Sequence, residues 1–141
     1  MSVVKLSANR LMDLFIANLS SLLPALKIKK LKKTKTAWRF MADINGNNYP
    51  FILLPCTNPY PSIIRRYLGK PGDANDNVLL LSSFFPEGTQ DYLDKQNVNF
   101  VDLSGNCRIK RNLGNKTKRE NVFIRVAGKP NQYRTQKIAI D

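Results

Sequence analysis

Between positions 8 and 23 apolar residues recur at three- and four-residue spacing. Leu11, Leu14, Phe15, Ile16, Leu19, Leu22 and Leu23 would share one helix face. Ser7 offers a capping hydroxyl and Pro24 stops the helix. The period then falls to two. Leu26 and Ile28 alternate with Lys27 and Lys29, which predicts a strand with a wet, basic side. Over 36–44, Trp38, Phe40, Ala42 and Ile44 stand opposite Arg39, Met41 and Asp43, predicting a second strand. Asn45-Gly46-Asn47-Asn48 tolerates the positive φ of a tight hairpin. The returning stretch 49–54 is almost wholly apolar, as in a strand buried on both faces.

Asn58-Pro59 has the form of a cap followed by Pro at the first helical position, with Ile63, Ile64, Tyr67 and Leu68 along the helix and Gly69 closing it. A loop over 70–77 leads to a short buried strand, 78–81. A helix is expected over 87–95, with Tyr92 and Leu93 facing inward. Strands 98–103 and 107–111 flank the turn Ser104-Gly105-Asn106, a basic loop comes next at 113–121, and the last strand is 122–127. The aromatics Phe40, Phe51, Tyr67, Phe84, Phe85, Tyr92, Phe100 and Phe123 fall on apolar-periodic positions and are expected in the core. Trp38 reads as a core strand residue, with stacking on a base or a partner as the other reading. This order of elements predicts an α/β (α+β) domain with a mixed central sheet flanked by helices. Its expected extent is 1–130, with 131–141 a C-terminal tail or the start of a following module.

Composition then narrows the function. The chain has 141 residues, with 23 Lys+Arg against 10 Asp+Glu (net +13), two Cys and no His. Without His there is no Ser-His-Asp triad, Cys-His pair or His-ligated zinc. The apolar runs are too short to span a bilayer, and the Lys-rich stretch alternates like a strand, so no membrane partner is expected. Cysteine usage suits a reduced, cytoplasmic protein. The positive charge is clustered. No carboxylate lies between Asp13 and Asp43, and a second basic run starts at Arg108. Such clusters attract polyanions by releasing counterions from phosphates. Lys29, Lys30, Lys32, Lys33, Lys35, Arg108, Lys110 and Arg111 are the candidate phosphate contacts, with Arg65 and Arg66 on the second helix as further ones. DNA is the expected partner, and an acidic protein partner is the rival.

Catalytic chemistry finds few candidates. Asp43, just before a hairpin, is where a metal-dependent phosphodiesterase would place one carboxylate. The next strand, Phe51-Ile52-Leu53-Leu54-Pro55-Cys56, then lacks the acid and lysine that would complete the site. Asp102 is expected to cap the turn after it. Cys56 and Cys107 read as buried, inert thiols. No cofactor or metal site is expected, and the chain is not expected to be an enzyme.

The segment Asn97-Val98-Asn99-Phe100-Val101-Asp102-Leu103-Ser104-Gly105-Asn106-Cys107-Arg108-Ile109 resembles the strand–turn–strand of the AbiEi-type antitoxin and transcriptional-regulator family of type IV toxin–antitoxin systems. Downstream, Val122-Phe123-Ile124-Arg125-Val126-Ala127-Gly128-Lys129-Pro130 also resembles the continuation of that segment in the family. The resemblance implies a restriction-endonuclease-like PD-(D/E)xK core, with Asp43 at the position of its first acid. Leu54 and Cys56 stand where that pattern wants Glu and Lys, which implies a non-catalytic member. No complete helix-turn-helix is visible, so the basic clusters would have to carry DNA binding. The expectation is therefore a DNA-binding, antitoxin-like regulator, with a protein-binding module as the alternative. A metal-dependent nuclease completed by Asp102 or Glu120 is the second alternative.

Overall fold

Every strand of this chain has apolar side chains to hide, and one sheet meets that demand by packing helices on both faces. The structure, a computed structural model, describes residues 6–23, 26–34, 37–44, 46–66, 77–112 and 121–128. They form α1 (Ala8–Ala17), α2 (Leu19–Leu22), β1 (Lys27–Lys33), β2 (Trp38–Ile44), β3 (Asn47–Pro55) and α3 (Pro61–Ile64). β4 (Val78–Ser82), α4 (Glu87–Lys95), β5 (Asn99–Asp102), β6 (Cys107–Asn112) and β7 (Asn121–Val126) complete them. The seven strands make one mixed sheet in chain order. β1, β2 and β3 are an antiparallel meander, β3, β4 and β5 run parallel, and β6 and β7 return antiparallel. The predicted α+β class is observed.

Strand alternation sorts the core into two clusters. On one face, Leu11, Met12 and Phe15 of α1 pack with Leu22, Leu23 and Leu26 on Phe40, Ala42, Phe51, Leu53, Leu79, Leu81, Val101 and Ile109. On the other, Ile64 of α3 and Leu93 of α4 cover Cys56, Leu80, Phe85 and Phe100. Ser7 caps α1 as its sequence promises, its hydroxyl accepting from the Arg10 N–H at 3.1 Å. α4 ends on Asn97, whose φ of 60° is the left-handed conformation of a helix terminus. The Val98 N–H then bonds the Leu93 carbonyl, and Asn97 N–H that of Asp94. The sheet is curved. Arg111 of β6 lies 5.6 Å from the rings of Tyr49 and Phe51 on β3, although β4 and β5 separate those strands.

Several expectations are corrected. The first helix breaks at Asn18, and Ile16 is exposed. β3 is buried on one face only, since Ile52 and Leu54 are half-buried. The second helix takes Pro61, not Pro59, as its first residue, because Pro59 is buried and the Tyr60 N–H bonds the Asn58 side chain instead. Phe123 is 59% exposed rather than core, because β7 is an edge strand. The 70–76 loop, the 113–120 loop, Pro24, Tyr67, Leu68, Gly69 and the 131–141 tail lie outside the described residues.

Candidate nucleic-acid interface

β1 holds five lysines in the run KIKKLKK, and pairing with β2 decides where they point. Lys27 stands opposite Asp43, Lys29 opposite Met41 and Lys32 opposite Arg39. Directly opposed residues share a face. The Arg39 row continues to Ile52 and Val78, so this is the side on which α3 and α4 pack. Lys27, Lys29, Lys32 and Arg39 are all exposed there, beside exposed Asn48 and Pro50 and half-buried Met41 and Ile52. The half-buried carboxylate on this patch is Asp43. It accepts from the Gly46 N–H at 3.0 Å and lies 3.7 Å from Lys29. The result is an open, net-positive sheet face with no aromatic ring among its described residues.

A bulge between Lys29 and Lys32, with Lys30 at φ 54°, breaks the alternation. Lys33 is thereby turned to the opposite face, over the Trp38 ring at 5.5 Å, where Trp38 packs on the core. Of the sequence candidates, Lys29 and Lys32 therefore lie on the open face, Lys30 at the bulge and Lys33 behind it. Lys35 lies outside the described residues. Lys27 and Arg39 belong to the face but were not among the sequence candidates, although the period of two through Lys27 and Lys29 and the hairpin pairing carry the signal. Arg65 and Arg66 are exposed just beyond α3, on the same side of the sheet. Lysines on an edge strand also keep other strands from pairing. Arg39 sits on an interior strand, where that purpose does not need it.

The second cluster is a correction. Arg108 is 5% exposed, and its guanidinium is committed inside the protein. Nη2 donates to Asn97 at 2.6 Å, Nη1 to Asn99 at 3.2 Å, and Nε lies 3.3 Å from Asp94 Oδ1. Arg125 of β7 shares Asp94 through contacts of 3.2 Å and donates to Gln90 at 3.1 Å. Burial pulls the Arg108 pKa down, and Asp94 opposes that shift. The cluster ties α4 to β6 and β7. Lys110 and Arg111 are half-buried, Arg111 against the Tyr49 and Phe51 rings. Arg108 thus leaves the list of phosphate contacts.

Asp102 is an architectural carboxylate. Phe85 N–H and Asn106 Nδ2 donate to Oδ2 at 2.9 Å, and the N–H groups of Ser104 and Asn106 donate to Oδ1 at 3.0 Å. Asn106 Oδ1 accepts from the Gly128 N–H at 2.7 Å, and Gly105 takes φ 92° to close the turn. Burial raises Asp102 to about 6, against the pull of those donors. Asp43 and Asp102 end strands that run in opposite directions and so lie at opposite ends of the sheet. Among the described residues no group of three or more His, Cys, Asp or Glu could hold a metal. Glu120 lies outside them. No family model, curated protein or solved structure matches the chain. Leu54 packs against the cluster that contains Cys56, whose thiol donates to the Asn58 carbonyl and is pushed up to about 11 by burial. Both cysteines are buried and unpaired. Among the described residues no helix is long and apolar enough to cross a membrane.

Proposed function

We propose that this chain is a non-catalytic DNA-binding protein that holds the phosphate backbone on the open face of its β1–β2 hairpin. The observation that carries the reading is the convergence of Lys27, Lys29, Lys32 and Arg39 on one exposed sheet face. Cations so placed release counterions when phosphates replace them, and Arg65 and Arg66 extend the positive field on that side. Among the described residues of β1, β2 and β3 no aromatic ring shares this face, which supports a duplex held through its phosphates rather than stacked single-stranded bases. The mixed sheet, with a hairpin, a helix and a parallel strand in succession, supports a restriction-endonuclease-like core. The apolar setting of Leu54 and Cys56 supports the loss of its chemistry. The regulatory, antitoxin-like role rests on the resemblance at 97–111.

Fluorescence anisotropy of a labelled duplex over a salt series tests this. Affinity is expected to fall steeply with salt. The triple variant Lys29→Glu, Lys32→Glu, Arg39→Glu should lose on the order of a hundredfold and flatten the salt slope by about three. Binding that ignores salt, or an unchanged triple variant, rejects the assignment. A denaturing gel of the same samples with Mg²⁺ should show intact strands.

A further inference from the structure

The sheet has two edges, and they are finished differently. β1 carries five lysines and a bulge, the devices by which edge strands refuse another strand. β7 has neither. Its six pairs with β6 run without a register shift, its sequence is NVFIRV, and Phe123 and Val126 are 59% and 44% exposed. The backbone direction along β7 can be read from β6. Lys110 N–H donates to Asn99 Oδ1 at 2.8 Å, and the Lys110 carbonyl accepts from Asn99 Nδ2 at 3.0 Å, so the backbone groups of Lys110 face β5. Those of its neighbours Ile109 and Arg111 consequently face β7, where they meet Ile124 and Val122. The backbone N–H and C=O of Phe123 and Arg125 therefore point away from β6. Among the described residues no strand lies beyond them.

We infer that the outer edge of β7 is a strand-addition site for an extended segment of a partner protein in which apolar and acidic residues alternate. Main-chain bonds to Phe123 and Arg125 supply the pairing, and side-chain chemistry selects the segment. Val122, Ile124 and Val126, on the opposite face of β7 from Phe123, offer the apolar contact, with Val126 44% exposed. Lys110 stands opposite Phe123, and Arg125 comes next on the same face. Neither β6 nor β7 contains a carboxylate, and the nearby Asp94 is already shared by two arginines. The field at this edge is thus positive, on a chain of net charge +13. That favours an acidic segment and opposes a second copy of the same edge. The site lies at the far edge from the proposed DNA face and does not depend on it.

The probe is a short fluorescein-labelled peptide of alternating Val and Glu, compared with a version of equal charge carrying a central proline. Phe123→Pro removes an outward N–H and leaves the ladder to β6 intact, the one setting in which an edge strand accepts proline. The alternating peptide should bind the wild type, with at least about tenfold weaker binding by Phe123→Pro and by the proline-bearing peptide. Equal affinities in all these pairs would mean simple charge attraction and would overturn the site. Hydrogen exchange on the wild type keeps the question open to test if the proline variant does not fold. Peptide should slow the Phe123 and Arg125 amides and leave Val122 and Ile124 unchanged, and no slowing overturns the proposal. Self-association of the wild type in sedimentation, lost in Phe123→Pro, would instead make the occupant a second copy and overturn the acidic-partner assignment.

Discussion

Two basic stretches of similar density end in opposite situations. On β1 and β2, Lys27, Lys29, Lys32 and Arg39 look outward into solvent. On β6, Arg108 is buried against Asp94, Asn97 and Asn99, and Arg111 lies against two rings of β3. The cause is what lies over the sheet, not whether a strand is at its edge. Arg39 is exposed although β2 has neighbours on both sides, whereas α4 brings Asp94 onto Arg108 of β6. Cation density in a sequence therefore locates charge, and the groups packed over each part of the sheet decide whether that charge faces a partner or serves the fold.

The sharpest break in that comparison is to swap what is measured. Arg108→Ala should cost about 2–3 kcal/mol of stability, because it unties α4 from β6 and takes one donor each from Asp94, Asn97 and Asn99. Chemical denaturation measures the loss, and duplex affinity of the folded fraction should be unchanged. A drop in affinity without a drop in stability would return Arg108 to the binding surface. Gly128→Ala should be next, at about 2 kcal/mol. A Cβ there meets the Ser104 carbonyl and the Asn106 backbone, so the turn held by Asp102 must shift.

Asp102 itself carries a pH signature. Its folded value of about 6 lies above the ordinary 3.8. The folded state therefore retains a proton that the unfolded chain releases between those values. The contribution of Asp102 is fully present below about pH 4 and is lost as pH rises through 6. The stability difference between wild type and Asp102→Asn should accordingly grow as pH is lowered from neutral towards 4, read from denaturation midpoints at constant salt. A difference that shrinks on acidification would mean the four donors outweigh burial.

These outcomes bear on how legible the molecule was. The helix over 87–95 and the alternation of β2 were readable because each is a local period that tertiary packing reinforces. The bulge at Lys30 and the left-handed Asn97 were not, since a Lys at positive φ has no sequence signal and Asn is only permissive. Burial of Arg108 depends on Asp94, Asn97 and Asn99, which meet it only once β5 and β6 have paired. Exposure of Phe123 is a property of edge position, invisible to periodicity. Asp102, Gly105 and Asn106 build the turn between β5 and β6, so what that stretch of sequence encodes is a local hydrogen-bonded structure.

The smallest expected effect makes the finest use of the comparison, because it holds charge and strand constant and changes only the face. Lys29 and Lys33 are both exposed lysines of β1, separated by the bulge. Lys29 lies on the proposed DNA face, and Lys33 sits over Trp38 on the other. Each reversal to Glu removes the same charge from the chain, so long-range attraction falls equally in both. On the proposed reading only Lys29 contacts phosphate. Lys29→Glu should therefore weaken duplex binding by about fivefold more than Lys33→Glu and reduce the salt slope by about one, whereas Lys33→Glu should leave the slope close to wild type. Equal losses would mean that binding follows net charge rather than this face, and the interface would have to be sought elsewhere on the molecule.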